Sequence, residues 1–345
     1  MKPARLFLVF FLSLLTFAPV RADEVRNLYE AETPVVNQGA EERQRALAVT
    51  FEQVLAKVSG FGAVAAEPAL AEALVTPEQY VQQFLYREPQ PGQLNFWARF
   101  DQAAVNALLR KQQLPVWGAV RPATLMWLAV EERGERRLVG ANEQGEVAVA
   151  VTAQADRRGL PLHLPLLDLQ DLARIQPSDV WGDFRDVIQS ASARYNAQAV
   201  LAAALLRDGD RYRARFTLYQ NELALRWEQA GSLDEVMAAG VGRATDEIAA
   251  AYTQAVVSAS DVTVQVSGVQ SLRDYVRAMA YLDGLSGVSH VELVLVQGDH
   301  AVYRLTLQGA AQALVQAIAL GDTLSPDPAP GLLPAQAELS YRLLK

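Results

Sequence analysis

One stretch of the chain, Arg194 to Trp227, constrains the fold more than any other. Residues 199–206 form a continuous apolar run, which predicts a strand that is buried on both faces. Asp208-Gly209 follows, and this dipeptide favours a tight turn between antiparallel strands. Apolar and polar side chains then alternate, and the polar row is Arg211, Arg213, Arg215 and Thr217. The stretch therefore predicts an antiparallel meander with one face in the core and the other in solvent.

Strand and helix patterns alternate ahead of this meander. Residues 124–131 are almost entirely apolar and predict another strand that is buried on both faces. Helical patterns at 145–158 and 182–195 flank a short strand pattern at 161–167. Strands that alternate with helices indicate a parallel sheet covered by helices. We therefore expect a central α/β domain over residues 115–258, with the meander attached to its sheet.

The regions on either side share a different order: strand, helix, strand, strand, helix. In residues 23–114 the helix is predicted at 41–58, and a turn at 89–92 separates the last two strands. In residues 259–345 the corresponding turn is at Gly298-Asp299. This order is typical of a ferredoxin-like α+β domain. The predicted fold class is thus mixed: a central α/β sheet domain flanked by two ferredoxin-like α+β domains.

The first 22 residues have the pattern of a secretory signal peptide. Lys2 and Arg5 precede an apolar run at residues 6–17, and a small-residue cleavage pattern ends at Ala22. The run is shorter than the roughly 20 residues that span a bilayer. We therefore expect cleavage after Ala22, a periplasmic location and no integral membrane segment in the mature chain. A buried amino-terminal helix is the alternative.

Composition excludes several classes of function. The chain has no cysteine, which excludes disulfides and thiolate metal sites. Loss of Lys2, Arg5 and Arg21 with the signal leaves 28 Lys and Arg residues against 39 Asp and Glu residues, a net charge of −11. Phosphate binding needs clustered Lys and Arg, so we expect no binding of nucleic acid. The one locally basic segment, residues 133–137, is interpreted as a solvated turn.

No pattern of residues indicates a catalytic centre, a metal or a cofactor. The chain's histidines lie on separate segments without an acidic partner at ligand spacing; they are His163, His290 and His300. The sequence contains no nucleophile elbow, phosphate-binding loop or dinucleotide fingerprint. We therefore predict no catalytic residue, no metal site and no cofactor.

One group of acids leaves an enzymatic alternative open. Asp179, Asp183 and Asp186 are spaced to share a helix face, and paired carboxylates cleave glycosidic bonds. Acids also favour the first turn of a helix, because they cap it and interact with its dipole. We prefer this structural interpretation, and keep an envelope glycan hydrolase as the alternative function.

Two sets of residues are candidates for binding. Trp117 and Arg121 lie in a loop, residues 114–122, whose prolines and glycine end any regular element. Such residues are favoured interface anchors, although Trp117 can equally seal a contact between domains. The second set is the row Arg211, Arg213 and Arg215. We expect a non-enzymatic binding or accessory protein whose partner is an envelope protein or polymer.

Three segments carry a resemblance to a known family. They are residues 28–60 (LYEAETPVVNQGAEERQRALAVTFEQVLAKVSG), 114–128 (LPVWGAVRPATLMWL) and 266–309, which includes LRDYVRAMAYLDGLSGVSHVELVLVQGDHAVYRL. These segments resemble the proteobacterial envelope proteins classified as domain of unknown function 2066. The resemblance implies an envelope location. It carries over no catalytic residue, because that family has no assigned activity.

Overall fold

A computed structural model describes residues 23–220, 223–253, 259–285, 287–308, 311–327 and 337–344. The predicted signal peptide, residues 1–22, lies outside the described residues. Within the described ranges the chain is a mixed α/β protein with ten α-helices and three main sheets. No helix in these ranges has both the length and the apolar character needed to span a membrane.

The N-terminal unit is a three-stranded antiparallel sheet with helices on one face. In chain order its elements are β1 (Asp23–Glu24), β2 (Glu30–Pro34), α1 (Ala40–Ser59), α2 (Ala71–Val75), β3 (Val81–Gln90), β4 (Gln93–Phe100), α3 (Gln102–Lys111) and β5 (Val120–Arg121). The strand order is β2-β4-β3, and β1 pairs with β5 in a separate two-stranded ribbon. The apolar side of α1 is buried against the sheet, and the helix ends at Gly60 in the left-handed conformation.

The central unit is a sheet with helices on both faces. Its elements are β6 (Thr124–Glu132), β7 (Glu135–Leu138), α4 (Glu146–Arg158), β8 (Leu162–His163), α5 (Leu169–Leu172), α6 (Pro177–Gly182), α7 (Arg185–Ser192), β9 (Ala199–Asp208), β10 (Arg211–Gln220), β11 (Leu223–Gly231) and α8 (Leu233–Thr253). The strand order is β11-β10-β9-β6-β7, with β8 also beside β6. The pair β6 and β9 is parallel, while β9, β10 and β11 form the predicted antiparallel meander. One face packs against α4 and α8, and the other against α6 and α7.

Two details of the central unit differ from prediction. The second face of the meander is not wholly solvated, because Thr217 and Tyr219 are buried on the side where α6 and α7 pack. The helix predicted over residues 182–195 begins only at Arg185, because Asp183 adopts a left-handed conformation (φ 57°) at the end of α6. The basic segment at residues 133–137 is exposed, as predicted, and residues 133–134 form the turn of a hairpin in which β7 pairs antiparallel with β6.

The C-terminal unit is a five-stranded sheet packed against two helices. Its elements are β12 (Ala259–Ser267), α9 (Leu272–Asp283), β13 (Val288–Gln297), β14 (His300–Gln308), α10 (Ala311–Leu320), β15 (Leu324–Pro326) and β16 (Leu339–Leu343). The strand order is β13-β14-β12-β16-β15, and only β16 runs parallel to its neighbour β12. Ser271 begins α9 by accepting a hydrogen bond from the Asp274 backbone N–H.

The finer assignments remain predictions. Both flanking units have the expected order of strand, helix, strand, strand and helix. However, the N-terminal sheet has three strands in the described residues, and β16 rather than β15 pairs with β12. The ferredoxin-like arrangement is therefore not established. The domain boundary after residue 114 stays a prediction, and the boundary at residue 258 lies outside the described residues.

Candidate functional site

The first predicted binding pair, Trp117 and Arg121, is fully buried, with 0% of either side chain exposed. The guanidinium carbon of Arg121 lies 4.0 Å from the centre of the Trp117 ring, in a cation–π arrangement. The guanidinium donates hydrogen bonds to five backbone carbonyl oxygens: those of Lys57 (2.6 Å), Gly159 (2.7 Å), Trp117 (3.0 Å), Gly118 (3.0 Å) and Arg158 (3.3 Å).

These carbonyls place the Arg121 charge at the ends of two helices. Lys57 lies in the last turn of α1 and Gly159 caps α4, so the cation meets the negative ends of both helix dipoles. A side chain at Gly159 would crowd this site, since a Cβ there would lie 2.9 Å from Nη1 of Arg121. Trp117 and Arg121 therefore join the N-terminal and central units. They present no surface to a partner.

Two further cations lie at the same junction. Arg158 is 2.6 Å from Oδ1 of Asp246 and donates to the Gly60 carbonyl at 2.9 Å. Lys57, only 5% exposed, donates to the Glu30 carbonyl at 2.8 Å. Burial lowers the pKa of Lys57 to about 8. The junction is thus held mainly by cations that bind carbonyl oxygens.

The arginine row on β10 is not a continuous basic surface. Arg211 and Arg213 are exposed, whereas Arg215 is half-buried and donates to the Trp181 carbonyl. Acidic residues lie opposite two of the three positions in the sheet register: Asp208 faces Arg211 and Glu228 faces Arg215. The row therefore offers two exposed arginines, and an acid lies opposite one of them, Arg211.

The three acids of the enzymatic alternative have three different environments. Asp179 accepts a hydrogen bond from the Gln176 backbone N–H at 2.7 Å, which caps α6. Asp186 is exposed in the first turn of α7. The Asp183 side chain is 7% exposed. Its carboxylate accepts hydrogen bonds from the hydroxyl groups of Thr217 (2.9 Å) and Tyr219 and forms a salt bridge with Arg226 (2.6 Å). Asp183 thus anchors α6 to the meander, a structural role.

The histidines stay apart in the structure. His163 is in β8, His290 in β13 and His300 in β14, where its Nδ1 lies 2.8 Å from Asp299. Among the described residues, no group of three or more His, Cys, Asp or Glu side chains could hold a metal ion.

A cavity between the N-terminal and C-terminal units was missed by the sequence analysis. It consists of an inner chamber of about 300 Å³ and an adjoining outer groove of about 640 Å³. The two spaces share six lining residues, which we name the collar: Arg26, Tyr29, Gln102, Asn106, Arg110 and Asp283. The collar therefore lies where the chamber meets the groove.

Three distant segments build the inner chamber. Leu28 precedes β2, Val116 and Val120 belong to the segment between α3 and β6, and Ala280 and Leu285 lie at the end of α9. Beyond the collar, every lining residue of the chamber is apolar or glycine except Tyr281. The Tyr281 hydroxyl donates to the Ile318 carbonyl at 3.4 Å. The chamber wall is therefore mainly apolar.

The collar, in contrast, is polar and rich in donors. Asn106 and Arg110 lie one turn apart on α3, and Arg110 donates to the Val288 carbonyl at 3.1 Å, which links α3 to the C-terminal unit. The Tyr29 hydroxyl donates to Oδ1 of Asn106 at 3.0 Å. Burial raises the pKa of Tyr29, so this hydroxyl remains a donor at neutral pH. Neither Arg26 nor Asp283 has a hydrogen-bond or ion-pair partner among the described side chains.

Comparison with known proteins corrects the family resemblance that the sequence suggested. A family model described as a domain of unknown function, DUF8605, matches residues 22–118. The resemblance to domain of unknown function 2066 was therefore wrong. That resemblance was carried by residues 28–60, 114–128 and 266–309, and the matched model covers the first of these segments and only the start of the second. No curated protein and no solved structure shows significant similarity to the chain. The matched segment is similar to DUF8605 over the N-terminal unit and includes five of the six collar residues.

Proposed function

We propose that this protein is a non-enzymatic binding or accessory protein of the cell envelope that holds a ligand or a partner segment in the cavity between its N-terminal and C-terminal units. The observation that carries the proposal is the apolar inner chamber beneath a polar collar. Ligand sites are typically concave and mostly apolar, with a few polar groups that fix orientation, and their volumes begin at about 300 Å³. They also occur preferentially between domains.

The envelope location rests on the amino-terminal sequence pattern. Basic residues, an apolar run and a small-residue cleavage pattern at Ala22 are typical of a secretory signal peptide. On this proposal the mature protein begins at Asp23 and is periplasmic. Its partner is an envelope protein or an envelope polymer.

We propose that the units are three domains, at residues 23–114, 115–258 and 259–345, and that the flanking two are variants of the ferredoxin-like fold. The support is the split strand order. In the N-terminal unit β4 lies between β2 and β3, and in the C-terminal unit β14 lies between β12 and β13. Both arrangements place a later strand between two earlier ones, as in a split βαβ unit.

The glycan hydrolase alternative receives less support from the geometry. A catalytic carboxylate must reach its substrate, and a pair of carboxylates must flank the scissile bond. The Asp183 carboxylate is instead buried against the sheet with three partners. Hydrolysis of an envelope glycan that is lost in a folded Asp183→Asn variant would restore this alternative.

Site-specific photocrosslinking in the periplasm tests the binding function. A crosslinking amino acid at the exposed collar residue Gln102 should form a discrete adduct, and the same amino acid at exposed Glu52 on α1 is the control. The adduct should disappear in an Ala280→Trp variant, because Ala280 is exposed to the chamber and the larger side chain fills it. A Gln102 adduct that persists in Ala280→Trp contradicts binding in the cavity. So does an adduct that forms when the crosslinking amino acid is placed at Arg213 but not when it is placed at Gln102.

A further inference from the structure

We infer that the cavity binds a small amphiphile, which places a short apolar group in the inner chamber and a single anionic head, such as a carboxylate, at the collar. This inference rests on the proposed binding function and names its ligand class. It follows from the separation of chemistry between the two parts of the cavity: an apolar wall in the chamber and hydrogen-bond donors at the collar.

The collar offers more donors than the protein uses. Arg110 donates a hydrogen bond from Nη2 to the Val288 carbonyl, and its other N–H groups have no acceptor among the described residues. Arg26 has no acceptor there either. The Asn106 side chain accepts from Tyr29 through its oxygen, and its amide nitrogen donates to no described residue. Guanidinium groups present paired N–H donors that match a carboxylate. The vacant donors therefore favour a ligand whose head accepts hydrogen bonds.

The charge of the collar favours a single negative charge on that head. Two arginines face one acid, Asp283, so the collar has a net charge of +1. Neither Arg26 nor Arg110 forms an ion pair with Asp283 in the described structure. A monoanion balances the two arginines and the aspartate together, whereas a dianion would bring excess negative charge close to Asp283. A cationic head would face both guanidinium groups.

The chamber limits the other end of the ligand. Polar atoms are costly to bury without hydrogen-bond partners, and the walls formed by Leu28, Val116 and Leu285 offer none from their side chains. Its volume equals that of about ten water molecules, since each takes about 30 Å³ in the liquid. An unbranched chain of about eight carbon atoms has a comparable volume on the same scale. The ligand class is thus a medium-length chain with an anionic head.

Calorimetric titration of the purified mature protein tests this inference with three probes of equal chain length: octanoate, 1-octanol and octylamine. Octanoate should bind at least about tenfold more tightly than 1-octanol, and octylamine should bind most weakly. Arg26→Gln and Arg110→Gln should each reduce the affinity for octanoate and leave the affinity for 1-octanol unchanged. Arg26 is exposed and has no described partner, so its substitution is not expected to disturb folding.

A control variant and the crosslinking result distinguish failure of the inferred ligand class from failure of the proposed binding function. Arg99→Gln changes an arginine of the outer groove that is already paired with Glu30 at 2.7 Å, and should leave octanoate binding unchanged. If 1-octanol or octylamine binds as tightly as octanoate, the anionic head is refuted while the cavity remains a binding site. If no probe binds but the Gln102 adduct is still lost in Ala280→Trp, the ligand class is wrong and the proposed function survives. If no probe binds and the adduct persists, both fail.

Discussion

Replacing Arg121 with methionine removes the cation that joins the N-terminal and central units while retaining a buried side chain of similar length. The lost interactions are five hydrogen bonds to carbonyl oxygens, with distances from 2.6 to 3.3 Å, and the contact with the Trp117 ring. A hydrogen bond to a charged group contributes about 1.5–3 kcal/mol. A charge at a helix end contributes up to about 2 kcal/mol when partly buried.

These gains are offset in part by the cost of burying the cation, which amounts to several kcal/mol. The removal of one member of a buried charged network typically costs about 3–5 kcal/mol, because the remaining polar groups lose their partners. We therefore expect the free energy of unfolding of Arg121→Met to fall by about 3–5 kcal/mol. Arg121→Lys should recover part of this loss, since an ammonium group has fewer donors but keeps the charge.

Equilibrium unfolding in urea, followed by circular dichroism and tryptophan fluorescence, measures the loss. The matched control is Arg45→Met, which removes an exposed arginine of α1 whose partner is Glu42 and should leave the unfolding midpoint unchanged. An Arg121→Met midpoint that falls no further than the Arg45→Met midpoint would refute the view that Arg121 holds the junction.

Three further predictions use the same unfolding measurement. From about pH 8 to about pH 10 the free energy of unfolding should rise, because the pKa of Lys57 is lower in the folded chain and the unfolded chain therefore binds more protons. The rise should be absent in Lys57→Met, and an unchanged slope in that variant would contradict the assignment of the rise to Lys57. Gly240→Ala should destabilise the protein by about 1–3 kcal/mol although alanine has the better helix propensity, because a Cβ at this position would overlap the Phe216 ring. Gly242→Ala should be tolerated better, and equal effects of the two substitutions would contradict this packing. Asp183→Asn should lower the free energy of unfolding by about 2–4 kcal/mol, because a buried carboxylate with three partners loses its charge, and exposed Asp186→Asn should have little effect. The reverse order would show that Asp183 does not anchor α6 to the meander.

The parts of the fold that follow from local periodicity could be predicted. The alternation in residues 211–218 appears in β10, and the apolar run at 124–131 appears in β6, parallel to β9 as expected. Side-chain period and turn residues are local properties of the chain, so they can be read without knowledge of distant contacts.

Features that depend on contacts between distant segments could not be predicted. Asp183 separates α6 from α7, and its carboxylate reaches Thr217 and Arg226, more than thirty residues later in the chain. The collar combines residues of α3 with Asp283 of α9, and no periodicity links these segments. Val105, Leu108 and Leu109 form the buried stripe of α3. Asn106 and Arg110 fall off that stripe, but the sequence does not indicate which surface they meet.

The partners of Arg121 have a consequence for how strongly salt affects the contact between the N-terminal and central units. Its partners are carbonyl dipoles in a fully buried site rather than carboxylates in solvent, and dissolved ions screen buried interactions much less than exposed ones. The contact between the N-terminal and central units should therefore keep its strength across a wide range of ionic strength. The collar, where Arg26 and Asp283 are exposed, should instead weaken its hold on a charged ligand as salt is added. One protein would thus combine a salt-resistant scaffold with a salt-responsive binding site.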